Sequence, residues 1–297
     1  MSSPAAPADH VAVRALIGLA LREDVGSGDL TTRATVARST QARGRVVARE
    51  DLVVAGIGLV DAIIEELARL GDAGAGAASL RVSERVSDGT PVAAGTTLCV
   101  LDGDAWGLLT LERTFLNFVG HLSGVAAETA RIVAAVRAAG CDTRILDTRK
   151  TTPGWRLLEK YAVACGGGSN HRMGLFDAVL IKDNHVVAAG GIAEAVRAAL
   201  AESPPGVKIE VECDTIGQVR IALDAGATSL LLDNFSPAAV ADAVRLIAGR
   251  AEVEVSGGIG LESIVAYAQA GPDSISLGRL THSARSADVS MEVALLA

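Results

Sequence analysis

Five apolar stretches in the second half of the chain recur at a nearly constant interval, and this rhythm constrains the fold more than any other feature. They are Ala178–Lys182, Lys208–Glu212, Ser229–Asp233, Glu252–Ser256 and Ser274–Gly278, and their ends lie 30, 21, 23 and 22 residues apart. Ala-rich segments with helical character, such as Ile192–Ala201 and Ala238–Ala248, fill the intervals. Strand and helix alternating at this period predict parallel βα units. A sixth strand is expected near Arg144–Asp147. A closed eight-stranded barrel takes roughly 250 residues and only about 160 are available, so the expected form is an open, incomplete (TIM-like) α/β barrel. The carboxyl ends of its strands would meet at one mouth.

The first hundred residues read differently. Val11–Arg22 has helical periodicity, and the turn formers of Glu23–Asp29 end it. Arg43–Glu50 and Leu80–Val86 alternate like strands, Gly56–Leu70 reads as a helix, and Gly71–Ala78 reads as a flexible loop. Short strands and turns follow to Gly103, with the glycine rhythm of lipoyl or biotinyl carrier domains. No lysine stands at a hairpin tip between Ser87 and Asp104, so a small β-rich domain is the better reading. Ala105–Gly140 is expected to form two helices broken near Gly120–Gly124.

Bulk chemistry narrows the function. Hydrophobic residues make up 49% of the chain, enough for a large core, while aromatics are 3% and the net charge is −8. Few stacking side chains and a net negative charge argue against nucleic acid and acidic membranes as partners. No apolar run reaches the roughly 18–20 residues that cross a bilayer. Cys99, Cys141, Cys165 and Cys213 have no metal-ligand spacing, and the amino terminus has no signal-peptide pattern, so a reduced, cytoplasmic protein is expected. Against this acidic background Arg144, Arg149, Lys150, Arg156, Lys160, Arg172 and Lys182 gather within 39 residues. That cluster is either a solvated basic face or the binding site of a small polyanion.

The strand ends favour the polyanion. Asp147-Thr148-Arg149-Lys150 sets a planar guanidinium fork beside a point charge, flanked by hydroxyls suited to carboxylate or phosphate oxygens. Gly166–Arg172 is a glycine-rich loop that lacks P-loop spacing but delivers His171 and Arg172. Lys182 closes an apolar strand, where an unpaired ammonium is costly to bury. Glu210 and Glu212 alternate and so share one face, either into the barrel or out, and Asp233 ends the next strand. Two carboxylates at one mouth can hold Mg²⁺, usually through water, or balance the cations. The turns Val255-Ser256-Gly257-Gly258-Ile259 and Ser276-Leu277-Gly278-Arg279 occupy the last two strand ends, where barrels commonly cup a phosphate with backbone N–H groups.

Taken together, Gly28-Asp29-Leu30-Thr31-Thr32, Glu112-Arg113-Thr114, Asn117, His121–Gly124, Asp147–Gly154, Gly166–Arg172, Ile181–His185, Glu210–Glu212, Leu232–Asn234, Ser256–Ile259 and Leu280–Ser283 resemble quinolinate phosphoribosyltransferase in consistent order over residues 14–290. The resemblance implies transfer of phosphoribose from 5-phosphoribosyl 1-pyrophosphate (PRPP) to quinolinate with Mg²⁺, yielding nicotinate mononucleotide, pyrophosphate and CO₂ in NAD biosynthesis. It implies an N-terminal α/β sandwich domain, here residues 1–115 joined by the tail 279–297, and an open barrel over 116–278. It also implies a homodimer or higher homo-oligomer in which Arg113 serves the neighbour's site. By the same matching, Arg149, His171, Arg172 and Lys182 grip the quinolinate carboxylates, with Thr148 alongside. Lys150, Glu212 and Asp233 lie toward ribose, pyrophosphate and metal, and Lys150, Lys182, Glu212 and Asp233 are the catalytic candidates. Ser256, Gly257, Gly258, Leu277, Gly278 and His282 surround the 5-phosphate. Arg279 departs from the small residue expected there and adds a phosphate contact or points away. Other readings remain: a barrel lyase forming an imine on Lys150 or Lys182, a sister protein of the same fold associated with molybdenum transport, and a transferase for the monocarboxylate nicotinate.

Overall fold

The computed structural model describes residues 5–296, and contacts divide them into two compact units. One holds the described residues up to Ala130 together with Thr151–Gly167 and the residues from Thr281 on; the other holds Arg131–Lys150 and Gly168–Leu280. In chain order the elements begin α1 (Val11–Val25), α2 (Leu30–Thr35), β1 (Gln41–Ala48), β2 (Leu52–Val53), α3 (Val60–Ala68), β3 (Arg81–Arg85), β4 (Pro91–Val92), β5 (Thr97–Asp104) and α4 (Ala105–Ala138). They continue β6 (Arg144–Leu146), α5 (Arg156–Cys165), β7 (Val179–Ile181), α6 (Asp183–Ala189), α7 (Ile192–Glu202), β8 (Ile209–Cys213) and α8 (Ile216–Asp224). The last are β9 (Ser229–Asp233), α9 (Pro237–Ile247), β10 (Glu252–Ser256), α10 (Ile264–Gln269), β11 (Ser274–Ser276), α11 (Arg279–His282) and β12 (Val289–Leu295).

The first unit is an α/β sandwich. Its sheet has the order β12-β1-β5-β3, and β12 runs antiparallel to β1 in the register Ala42–Leu295 to Ala48–Val289. Ile17 and Leu21 of α1, Ile63 and Leu67 of α3 and Leu108 of α4 are fully buried. Asp29, at the head of a run carried by the resemblance, is an N-cap: its carboxylate accepts the Thr32 N–H at 3.0 Å and opens α2. Buried Asp88 accepts the N–H groups of Gly56, Ile57 and Gly58 and the Tyr161 hydroxyl at 2.6 Å. It thereby satisfies the start of a 3₁₀ turn, Ile57–Leu59, that precedes α3 within the single helix expected there.

Two expectations are corrected. Residues 105–138 form one 34-residue helix rather than two. Gly120 and Gly124 serve close approach rather than a break: a Cβ on Gly124 would sit 2.0 Å from the Arg285 carbonyl oxygen, and one on Gly120 3.0 Å from that of Ala287. Gly124→Ala should therefore force the tail away from α4 and cost on the order of 3 kcal/mol, read as a lower urea midpoint; an unchanged midpoint would show that the backbone yields freely there. The segment 71–78 is not slack either. It forms 3₁₀ turns at Gly71–Gly74 and Ala77–Ser79, and a Cβ on Gly74 would meet the Leu67 carbonyl oxygen at 1.9 Å.

The second unit is the parallel barrel sheet, in the order β6-β11-β10-β9-β8-β7. Among the described residues β6 and β7 do not pair with each other, so the barrel is open. β9 is apolar through Leu230, Leu231 and Leu232, as befits a central parallel strand buried on both faces. Its neighbours alternate, with Glu210 and Glu212 on β8 and Glu254 and Ser256 on β10. Helix starts are written locally: Thr215 and Gln218 form a capping box for α8, and Ser236 caps α9 with Pro237 in its first turn. The loop after α5 adds itself to the free edge of β6. There the Ser169 N–H donates to the Ile145 carbonyl at 2.8 Å and the Asp147 N–H to that of Ser169 at 3.2 Å.

Candidate active site

The strand ends of the second unit converge on a cavity of about 220 Å³. Thr148, Arg149 and Lys150 enter it after β6, His171 and Arg172 from the loop on the β6 edge, and Lys182 after β7. Glu212, Asp233 and Ser256 come from β8, β9 and β10. The face shared by Glu210 and Glu212 is thus the barrel interior. Leu180, Leu231 and Glu254 also line the cavity and were not singled out from the sequence, while Ser276 lines it from the strand end expected to cup a phosphate. Glu254 was legible in principle, since strict alternation from Glu252 to Ser256 sets it on the face of Ser256.

Gly257, Gly258, Leu277, Gly278 and Arg279 lie beyond the lining, in the turns after β10 and β11. Gly257 has φ +104°, and a Cβ there would stand 2.2 Å from Asn234 Oδ1, so the turn admits only glycine. Arg113, exposed on α4, and His282 belong to the first unit. The glycines of 166–168 have in part a packing cause: a Cβ on Gly166 would lie 2.4 Å from the Ala126 carbonyl oxygen where α5 ends.

The cations are arranged against one another. Burial lowers the Arg172 pKa, and the nearby positive charge of Arg149 lowers it further. Arg172 Nη1 donates to the Ala178 carbonyl at 3.0 Å. Lys182 Nζ bonds the Glu212 carboxylate, and Asp233 accepts from the Asn234 amide at 2.6 Å. Like charges held this close favour an anion with more than one negative group.

His171 occupies the cavity floor with both ring nitrogens engaged. Nδ1 lies 2.7 Å from the Arg172 backbone N–H, while Nε2 is 3.1 Å from Glu210 and 3.4 Å from Glu254. Burial alone would lower its pKa, but the two carboxylates outweigh it and raise the pKa to about 9. The Arg172 N–H opposes a proton on Nδ1; the proton on Nε2, shared with the carboxylates, is common to both charge states. Burial raises the Glu210 pKa and His171 and Lys208 draw it below the carboxylate norm.

Cysteine chemistry has no place here. All four thiols are free, and burial pushes those of Cys99, Cys165 and Cys213 up to about 12.

The combination of open parallel barrel and cation-crowded mouth defines a protein that binds small polyanions. Models of the quinolinate phosphoribosyl transferase N-terminal and C-terminal domains match residues 29–123 and 125–292. The chain is 43% identical to the carboxylating nicotinate-nucleotide pyrophosphorylase of Mycobacterium leprae, over 95% of this chain and 97% of that protein. It is 40% identical to a probable enzyme of the same name from Bacillus subtilis, over 97% and 95%. The crystal structure of NadC from Streptococcus pyogenes superposes with a TM-score of 0.88 at 38% identity, covering 96% of this chain and 97% of that one. The chain belongs to the quinolinate phosphoribosyltransferase family.

Proposed function

We propose that this protein joins quinolinate to PRPP and releases CO₂, giving nicotinate mononucleotide and pyrophosphate for NAD synthesis. The observation that carries this reading is the cavity in which Arg149, Lys150, Arg172 and Lys182 meet Glu212 and Asp233. Arg149 and Arg172 suit the two carboxylates of quinolinate, since guanidinium matches carboxylate in plane and charge. His171 faces its own carboxylates through Nε2 and contributes shape and charge to the floor. Lys182 joins them on the quinolinate side, and Lys150 stands toward the pyrophosphate, with Glu212 and Asp233 beside the ribose. The phosphate end falls to Ser256, Gly257, Gly258 and the Leu277-Gly278-Arg279 turn.

The chemistry asks for charge rather than a nucleophile. The pyridine nitrogen displaces pyrophosphate at the anomeric carbon, through a transition state with oxocarbenium character. Glu212 and Asp233 offset the positive sugar, and Lys150 offsets the leaving group. Once the nitrogen is quaternary, loss of CO₂ leaves an electron pair beside a positive charge, and the ring accepts it until a proton replaces the carboxylate. Mg²⁺ fits the hard oxygen donors of Glu212 and Asp233 through water, with Glu212 already bound to Lys182. When bound, it would neutralise pyrophosphate. No helix among the described residues is long and apolar enough to cross a membrane; a cytoplasmic homodimer, with Arg113 completing the neighbour's site, is the form we favour.

Incubation with quinolinate, PRPP and Mg²⁺ should release CO₂ and nicotinate mononucleotide in equal amounts. Turnover of nicotinate in place of quinolinate would overturn the dicarboxylate reading. Reduction with borohydride in the presence of substrate should leave Lys182 unmodified, whereas an adduct there would favour the imine-forming alternative.

A further inference from the structure

Beneath the anion-binding mouth lie two carboxylates that a site for anions does not need. Glu210 and Glu254 are 2% and 1% exposed, on adjacent-but-one strands of the barrel interior. Two buried negative charges below a dianion are unfavourable unless they hold something in place. Glu210 is partly accounted for: it accepts the Ser229 hydroxyl at 2.9 Å and lies 3.4 Å from Lys208 Nζ. Glu254 is not. Its carboxylate makes no hydrogen bond among the described residues, and its one opposite charge within 4 Å among them is the His171 ring, 3.4 Å away at Nε2. A carboxylate this buried with so few partners is rare in a purely structural role.

The ring it touches belongs to the loop that delivers Arg172. That loop is held at its start by the His171 N–H donating to Asp147 at 2.9 Å, and beyond it by the Met173 and Gly174 N–H groups donating to Asp177. Between these anchors the backbone of residues 171–172 is steered by the His171 side chain, since Nδ1 lies 2.7 Å from the Arg172 N–H. Whatever fixes the ring therefore fixes the point from which Arg172 enters the cavity.

We propose that Glu254, with Glu210, is a positioning residue for the reaction: the two carboxylates clamp Nε2 of His171 and so aim Arg172 at a carboxylate of quinolinate. Glu254 lines the cavity as well, but acts through the ring. The effect falls chiefly on quinolinate, because what the clamp holds is the ring in the loop that carries Arg172, although Glu254 shares its strand face with Ser256 of the phosphate end. This inference rests on the placement of quinolinate against Arg172 proposed above.

Three variants of the full chain, assayed for the KM of each substrate, test it. Arg172→Ala checks the underlying placement and should raise the quinolinate KM strongly. Glu254→Ala should raise the quinolinate KM about tenfold while the PRPP KM stays within about twofold. Glu254→Gln still offers Nε2 an acceptor and should recover most of that loss. Should Glu254→Ala not fold, Glu254→Leu fills the space without an acceptor and enters the same comparison. An unchanged quinolinate KM in the variant lacking an acceptor, a parallel rise in both KM values, or a Gln variant no better than Ala would each overturn the positioning role. If Arg172→Ala leaves the quinolinate KM unchanged, the placement of the substrate fails instead.

Discussion

Arg113→Ala and Lys182→Ala chains, each expected to be inactive alone, should regain activity when refolded together. Arg113 is exposed on α4 although Thr114, Phe115 and Leu116 beside it are buried. An outward arginine can reach another copy of the chain, and in a two-fold dimer each copy would lend its arginine to the other. A hybrid dimer then contains one site with both Lys182 and Arg113 and one site with neither. Random pairing of equal amounts makes half the dimers hybrid, so recovery should reach about a quarter of the wild-type rate per chain. Each parent alone should remain near background. A mixture that stays inactive although the chains exchange would mean that Arg113 serves the site of its own chain or none.

Arg149→Ala should lower kcat/KM for quinolinate by about 10²–10³ without loss of fold, because it removes a charge-assisted fork from a partly enclosed site. The greater part of the change should appear in the quinolinate KM. Arg149 sits near enough to Arg172 for its charge to depress that residue's pKa. Removing it relieves the like-charge repulsion on Arg172, which offsets what its own interactions contribute, so the thermal midpoint should change little. A drop in midpoint alongside the activity would make Arg149 a structural residue, and an unchanged kcat/KM would remove it from the site.

What could be read in advance follows the range of the physics. β9 and β10 occupy the expected Ser229–Asp233 and Glu252–Ser256, because a buried parallel strand announces itself as a short apolar or alternating run between helices. The cavity residues Lys182, Glu212 and Asp233 were legible for the same reason: each ends such a run, and the fold brings strand ends together. Glycine misled where its local and tertiary uses differ. Gly120 and Gly124 looked like breaks in a helix, and their cause is a backbone arriving from residues 285 and 287. The partners of His171 were likewise out of reach, since Glu210 and Glu254 meet its ring only after two barrel strands have been set in register.

The pairing of β12 with β1 closes a sheet using segments more than two hundred residues apart. A nascent chain that has not yet reached residue 295 has the long edge of β1 bare, with Val46 and its neighbours awaiting a cover. An uncapped strand of that kind invites pairing with other chains. Shortened forms ending before Val289 should accordingly be lost to aggregates rather than persist as a working barrel with a trimmed tail.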